Sequence, residues 1–422
     1  MILLNGELLD DSAAALDRLP DVIEATLSAP PLETETVVAA LDAMADKLAS
    51  GAFDQLVTDP MLRAHVRDAV GMLRRDALEA RLTAELGERW MTPYAPSVPP
   101  GHRRVQIRPV PLGTVLHIAA GNMDAIPAFS VIEGLLTGNV NLLKLPKADR
   151  GLTVRFFREL IAIEPRLAGY VHVFDTPSTD LAAMRRLIAL ADGIAVWGGD
   201  AAVQAVRQAA HPGCKLIEWG HRLSFCYCTD LTAQGTAFQD LARHIVTTRG
   251  LLCSSCQVIY LDTDDMADVR QFCTRFLPVL EAVAAALPPE DDGTAAALTL
   301  RQYTASIEQD MFGTADDVFR GHGCALTVCE DSALTLSPLY GNVLVKRLPR
   351  GRMLPTLREA RGYLQTAGLI CADEERAALT ESLLRCGLTR VVPPARMSEM
   401  ALTAPHDGEL PLRRYVRYTE VE

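Results

Sequence analysis

From Val105 onward, short runs rich in Leu and β-branched residues alternate with longer amphipathic runs. Gly113 to Ile118, Val140 to Leu145, Tyr170 to Phe174, Gly193 to Trp197 and Lys215 to Ile217 have the length and texture of strands. Between them, Ala125 to Thr137, Gly151 to Ile163, Asp180 to Ala191 and Ala201 to Ala210 carry apolar residues at helical spacing. This βαβαβ rhythm predicts a parallel, doubly wound sheet with ligands at the strand carboxyl ends. The unbroken apolar strand runs suit a sheet covered on both faces.

A second alternation begins near Ser224. It predicts strands at Ser224 to Cys228, Gln257 to Leu261, Ala325 to Cys329 and Asn342 to Lys346, with helices at Ala237 to Thr248 and Met266 to Ala286. The expected class is therefore α/β: two doubly wound lobes, residues 101–222 and 223–400, with a cleft between them. Residues 1–100 read as a helical region packing on the first lobe. In it, Ala13 to Leu27, Glu35 to Leu48 and Pro60 to Leu86 have helical periodicity, and Pro20 predicts a kink or split. Asp11-Ser12 and Thr34-Glu35 offer capping chemistry. Residues 401–422 are expected to return to the first lobe or to an oligomer interface.

Charge and cysteine usage narrow the setting. A net charge of −12 argues against broad nucleic-acid or anionic-membrane binding and leaves local basic pockets open. No stretch reaches the roughly 18 apolar residues of a membrane span. The N-terminus lacks a basic, then apolar, leader pattern, and ten cysteines are scattered over 422 residues. Both point to a cytoplasmic protein with reduced thiols.

Two segments carry candidate chemistry. Arg249-Gly-Leu-Leu-Cys-Ser-Ser-Cys-Gln257 runs from a helix end into a strand, where a cysteine can be exposed with its thiolate stabilised by backbone N–H groups. On spacing alone, two packing cysteines are the default for the pair Cys253 and Cys256, ahead of a redox pair, and half a zinc site comes last because no second Cys-x-x-Cys follows. In Val110-Pro-Leu-Gly-Thr-Val-Leu-His-Ile-Ala-Ala-Gly-Asn122, an Asn follows a strand through a small-residue turn. Its amide would suit an oxyanion, and Gly-Asn is also ordinary turn chemistry.

In order and spacing these segments resemble the aldehyde dehydrogenase superfamily, and most closely the LuxC-type acyl-CoA reductase family. Gly134-Leu-Leu-Thr-Gly-Asn-Val-Asn-Leu-Leu-Lys-Leu-Pro146 is similar to the segment ending in the cofactor-binding lysine, here Lys144. Val196-Trp-Gly-Gly-Asp200 looks like the glycine turn opening a cofactor helix, and Glu218-Trp-Gly-His221 sits where the superfamily has Glu-Leu-Gly-Gly. Leu251 to Gln257 is similar to the nucleophile segment. Tyr363 to Leu369, Gly387 to Pro394 and His406 to Arg417 resemble signatures of the narrower family.

The resemblance implies an acyl thioester reduced to an aldehyde, from acyl-CoA or an acyl carrier. The roles it implies are Cys253 as nucleophile, Asn122 on the oxyanion, and Glu218 as acid/base or as shaper of the cofactor site. It also implies 101–222 as the cofactor-binding domain, with Lys144, Gly198, Gly199 and Asp200 at the cofactor. Lys147 stands where NAD-preferring relatives carry a glutamate and can pair with a 2′-phosphate, so NADPH is the expected cofactor. An acyl-transferring partner protein and a homo-oligomer are expected. The alternatives are oxidative aldehyde dehydrogenation, acyl-phosphate reduction, or a non-catalytic interaction subunit with the same fold. Cys256 stands where the family often has proline, and Arg249-Gly250-Leu251 replaces a more polar lead-in, which implies a divergent substrate.

Overall fold

A computed structural model describes residues 1–55, 70–119, 126–146, 151–286, 317–399 and 401–422, with isolated positions between 293 and 311. The chain divides into two units, Met1–Gly220 with Ala401–Glu422, and His221–Met400. The first holds strands β1 (Ile2–Leu4), β2 (Glu7–Leu9), β3 (Gln106–Pro111), β4 (Thr114–Ile118), β5 (Val140–Lys144), β6 (Val171–Phe174), β7 (Gly193–Trp197) and β8 (Lys215–Trp219). The second holds β9 (Leu223–Cys228), β10 (Cys256–Leu261), β11 (Asp317–Gly321), β12 (Cys324–Val328), β13 (Asn342–Arg347), β14 (Leu364–Ile370) and β15 (Arg390–Val392); β16 (Val416–Val421) belongs again to the first.

In the first unit the sheet order is β2-β1-β6-β5-β4-β7-β8, and β4 to β8 are parallel. Every residue of β5 and β6 is buried, as expected of strands covered on both faces. The chain moves outward from β4 through β5 and β6, then crosses to β7 and β8. The order therefore reverses between β4 and β7, the crevice where such sheets take ligands.

The N-terminal hundred residues are not wholly helical. Two short strands come first, joined by Asn5 and Gly6, both left-handed (φ 49° and 79°), as a tight hairpin requires. Strand β1 then pairs antiparallel with β6 through Leu3 and Val173. The helix Ser12–Ser28 is continuous through Pro20, correcting the expected split. Its Asp11 cap accepts from the N–H groups of Ala13 and Ala14 at 2.9 and 3.1 Å, and Ala15, Leu16, Leu19 and Ile23 form its buried face. Glu33, not Thr34, caps Thr34–Ala49, and without a side-chain bond. The third helix is described over Arg75–Leu86; the expected start at Pro60 lies outside the described residues.

A buried polar cluster ties this helix to the rest of the unit. Arg81 Nε donates to Glu85 Oε1 at 2.8 Å, and its Nη2 pairs with Glu133 of the helix Ile126–Leu136. Glu85 Oε2 accepts from the N–H of Leu412 at 2.7 Å, which fastens the C-terminal segment. Strand β16 then pairs antiparallel with β3, from Val416 opposite Pro111 to Val421 opposite Gln106.

The second unit repeats the parallel plan in the order β11-β12-β13-β10-β9-β14-β15, with β11 an antiparallel edge. The central strands β9, β10 and β14 are buried throughout. Two register shifts flank β9, one against β10 between Cys256 and Val258 and one against β14 between Leu364 and Ala367. Both irregularities fall at the amino ends of these strands, where the candidate nucleophile lies, and bulges there re-aim side chains. No described helix is long and apolar enough to cross a membrane.

Candidate active site

Cys253 sits in the loop between the helix Thr236–Thr248 and β10, at the amino edge of the second sheet. Among the described residues it is the exposed cysteine; the other nine are buried or half-buried. The loop begins with two left-handed residues, Arg249 (φ 53°) and Gly250 (φ 78°). A Cβ on Gly250 would come within 3.2 Å of the Leu339 backbone, so glycine is needed both for the turn and for the close approach. Opposite it, Leu339 and Tyr340 are also left-handed, and the Tyr340 N–H donates to the Arg249 carbonyl at 2.6 Å. Three non-glycine residues in this conformation, each costing on the order of 1 kcal/mol or more, concentrate strain around the loop.

Buried polar side chains hold that strain in place. Gln257 Nε2 donates to the Gly250 carbonyl at 2.9 Å, while its Oε1 accepts from Ser337 N and Oγ at 3.2 and 2.7 Å. The N–H of Leu252 donates to Ser255 Oγ at 2.9 Å. The carbonyl of Cys253 itself accepts from Ser224 Oγ at 2.7 Å, and Ser224 Oγ accepts in turn from the N–H of Thr366 at 3.0 Å. Thus β9 and β14 fix the backbone of the thiol-bearing residue.

His244 lies behind the loop, on the helix Thr236–Thr248. Its Nε2 accepts from the N–H of Cys256 at 3.1 Å, which leaves Nδ1 to donate toward Ser398 Oγ at 3.3 Å. Burial pushes its pKa down to about 4, so at neutral pH it is an uncharged acceptor. Cys256, nearly fully buried, directs its Sγ to the Val258 carbonyl at 3.4 Å, and burial raises its thiol well above the ordinary value. Cys253 and Cys256 are not bonded to each other.

His117 and His172 of the first unit are likewise buried and pushed down to about 4, so the sign is the same for all three histidines. Unfolding lets each bind a proton below its unfolded pKa of roughly 6.5, so their contribution is full above that pH and lost as pH falls toward 4. The melting midpoint is expected to drop steeply between those limits. A midpoint flat from pH 6.5 to 4.5 would show that the three rings are protonated in the fold.

The second constellation lines the carboxyl edge of the first sheet. Lys144, the last residue of β5, is buried with Nζ 2.9 Å from Ser178 Oγ, and burial lowers its pKa. After β7, Gly198 and Gly199 turn into the helix Asp200–Ala209, whose N-terminus has no side-chain cap at Gly199. A Cβ on Gly198 would stand 3.2 Å from Ala202 Cβ, and one on Gly199 would meet open space. Asp200 puts a carboxylate at the same N-terminus, which suits ribose hydroxyls better than a phosphate there. Two buried polar atoms on this edge, Thr176 Oγ1 after β6 and Trp219 Nε1 at the end of β8, have no protein partner. Glycine cradle, lysine and orphan donors together fit a dinucleotide with hydroxyl and amide groups to bond.

Glu218, expected as acid/base or as shaper of the cofactor site, stands on β8 one residue before its end. Arg207 of the adjacent helix grips it with Nε and Nη2 at 2.5 and 2.6 Å, and this fork holds the carboxylate below its usual range. Beside it, Trp197 and Trp219 pack at 5.4 Å with His406 against both, and Arg414 lies 5.8 Å over Trp219. The C-terminal signature is thereby placed on the carboxyl ends of β7 and β8. Arg222 Nη1 donates to the Gly362 carbonyl at 2.5 Å. His117 is satisfied in the core by Ser130 at 2.7 Å and Asn141 at 2.9 Å. Asn122 and Lys147 lie outside the described residues.

Comparison with known proteins identifies the fold and the family. The whole chain superimposes on a NAD-dependent benzaldehyde dehydrogenase from Corynebacterium glutamicum, TM-score 0.71 at 14% identity, covering 94% of that chain. The fold is that of the aldehyde dehydrogenases. The acyl-CoA reductase (LuxC) family model matches residues 29–418, and the chain belongs to that family. It is 23% identical over 324 residues to the long-chain acyl-protein thioester reductase 2 of Photobacterium leiognathi. To the long-chain acyl-protein thioester reductase of Aliivibrio fischeri it is 22% identical over 324 residues. Both alignments cover 75% of this chain and 65% of the relative, so the chain spans somewhat under two thirds of the length of the curated relatives it matches. Family and fold imply a nicotinamide cofactor.

Proposed function

We propose that this protein reduces an acyl thioester to an aldehyde with NADPH, through an acyl group carried on Cys253. The observation that carries the reading is the single exposed cysteine on a strained loop braced by buried polar side chains, in a chain of the acyl-CoA reductase family. The Cys253 thiolate attacks the thioester carbonyl carbon; a C–S bond to the enzyme forms, and the substrate's C–S bond breaks to release its thiolate. The backbone N–H of Cys253 and the Asn122 amide are the proposed oxyanion donors. When bound, the reduced nicotinamide supplies a hydride to the acyl carbonyl. The tetrahedral centre on Cys253 then collapses, its C–S bond breaks, and aldehyde leaves with the thiolate restored. Exclusion of water from the acyl group is required, since hydrolysis would yield acid instead.

On this reading Lys144, Gly198, Gly199 and Asp200 hold the cofactor, and Lys147 pairs with its 2′-phosphate. Glu218, already committed to Arg207, acts by bracing the cofactor edge rather than by moving a proton. The acyl donor is long-chain acyl-CoA or an acyl group on a carrier, delivered by a transferring partner protein. The chain works as a cytoplasmic homo-oligomer, a setting that keeps its ten cysteines reduced. NADPH consumption with a panel of acyl thioesters, with aldehyde identified as product, tests the activity. Acid formation from aldehyde and NADP⁺, with no thioester reduction, would overturn it. Lys147→Glu is expected to lower the NADPH-to-NADH ratio of kcat/KM by about tenfold or more, the loss of one charge-assisted contact. An unchanged ratio would remove Lys147 from the cofactor site.

A further inference from the structure

We propose that His244 is a positioning residue for the nucleophile. Its ring holds the backbone N–H of Cys256 on one side and the hydroxyls of Ser398 and Ser254 on the other, and so sets the direction of the Cys253 thiol. The inference rests on Cys253 being the nucleophile. It gives the second cysteine of Cys-Ser-Ser-Cys a part played by its N–H and not by its thiol.

His244 stands one turn before the end of the helix Thr236–Thr248, and its ring is buried with both nitrogens bonded. Nε2 accepts from the Cys256 N–H at 3.1 Å, so the ring proton sits on Nδ1 and points to Ser398 Oγ at 3.3 Å. Ser398 Oγ lies 3.0 Å from Ser254 Oγ. One side chain from the helix thereby reaches the residue that follows the thiol and the residue two further on. Ser398 is fixed in its turn by Arg390 at the start of β15. Arg390 Nη1 donates to Met397 O at 3.1 Å and Nη2 to Glu399 O at 2.8 Å, the carbonyls on either side of the serine.

Other elements hold the rest of the loop. Ser224 Oγ of β9 donates to the Cys253 carbonyl at 2.7 Å. Leu252 and Ser255 close on each other, through Leu252 N to Ser255 Oγ at 2.9 Å and Ser255 N to Leu252 O at 3.0 Å. The thiol carried by this frame is exposed. A side chain free of packing has three staggered directions, and the backbone beneath it decides where each one leads. A reacting atom misplaced by about 1 Å can cost about a hundredfold in rate. The His244 contacts bear on that placement.

Cys256 shows which of its groups the loop uses. It opens β10 at the register shift against β9, where its N–H goes to the His244 ring. Its own Sγ turns to the Val258 carbonyl at 3.4 Å, and the residue is nearly fully buried. The thiol therefore serves packing, and the N–H serves the loop.

The test is single-turnover acylation. Palmitoyl-CoA is mixed with the intact chain without cofactor, and the Cys253 adduct is timed by peptide mass spectrometry over a range of palmitoyl-CoA concentrations. His244→Leu is expected to slow the saturating rate by about ten- to a hundredfold. The half-saturating concentration should stay within about twofold, since the ring lies buried behind the loop. His244→Gln, whose amide oxygen can take the Cys256 N–H, is expected to recover most of the rate. Cys256→Pro lacks that N–H and should fall with His244→Leu, whereas Cys256→Ala keeps it and should lose far less. His244→Leu and Cys256→Pro together should cost no more than the larger single loss, the mark of one shared contact. The proposal is overturned by an unchanged saturating rate in folded His244→Leu, by His244→Gln as slow as His244→Leu, or by losses that multiply in the double variant. Should His244→Leu not fold, Ser398→Ala removes the Nδ1 partner and is expected to slow acylation by about fivefold, the worth of one hydrogen bond. An unchanged rate there overturns the proposal as well. A wild-type chain that gives no adduct on Cys253 fails at the nucleophile reading, and the positioning role falls with it.

Discussion

Replacing Cys253 with alanine is expected to lower thioester reduction by at least about 10³-fold, because the proposed acyl-enzyme forms on its sulfur. Stability should hardly change. The side chain is exposed, and the bonds that shape the loop come from its carbonyl and from Ser224, Ser255 and Gln257, all of which remain. The discriminating measurement is mass spectrometry after incubation with a long-chain acyl-CoA and no cofactor. An acyl adduct should map to Cys253 in the wild type and be absent from the variant. Unimpaired aldehyde production by the alanine variant would remove the covalent mechanism.

The second large effect concerns stability. Arg81 is nearly buried between Glu85 and Glu133. Burial works against its charge, but the two carboxylates outweigh that and raise its pKa. Burial also raises Glu85, even with Arg81 pulling it down. Arg81→Met leaves two carboxylates together in a poorly solvated site, a loss on the order of 3–5 kcal/mol by the record of broken buried ion pairs. For a unit of this size that corresponds to a melting midpoint lower by roughly 10 °C. The pH response carries a sign of its own. Without Arg81 the folded-state pKa of Glu85 rises further above its unfolded value. Stability is then retained in acid and lost as pH rises through the folded pKa. A variant whose midpoint matches the wild type at neutral pH would show that water, not Arg81, satisfies these carboxylates.

The parallel cores were legible in the sequence because their strands are covered on both faces, so apolar runs such as Val140 to Leu145 stand out from the amphipathic helices around them. Strand Gly193–Trp197 and helix Met266–Ala286 lie where the pattern puts them. The edges were less legible. The hairpin at Asn5-Gly6 has a clear turn signal, but three-residue strands are too short for periodicity to register. Strand β3 and its partner β16 contain prolines or alternate charges, and only pairing across the whole chain makes them strands.

The site shows the same division. The candidate nucleophile loop could be located from a local motif, since Leu251 to Gln257 is contiguous. The residues that hold it could not. His244 sits on an ordinary amphipathic helix, Ser224 begins a strand, and Ser398 and Arg390 arrive from far along the chain. Their function depends on hydrogen bonds between segments, which no local spacing encodes. The partner of Glu218 was illegible for a related reason: Arg207 lies eleven residues away on a helix face with no marker in its neighbourhood.

One topological feature bears on how the chain is made. The first unit is assembled from Met1–Gly220 and Ala401–Glu422, while His221–Met400 is contiguous. During synthesis the later segment has all its strands in hand before the earlier one does. Strand β3 must wait for β16, and Glu85 must wait for the N–H of Leu412. The nascent protein therefore passes through a stage in which the contiguous, thiol-bearing unit is complete and the first unit still presents an open strand edge. That exposed edge is the point in the chain's life at which holding factors, or aggregation, would act.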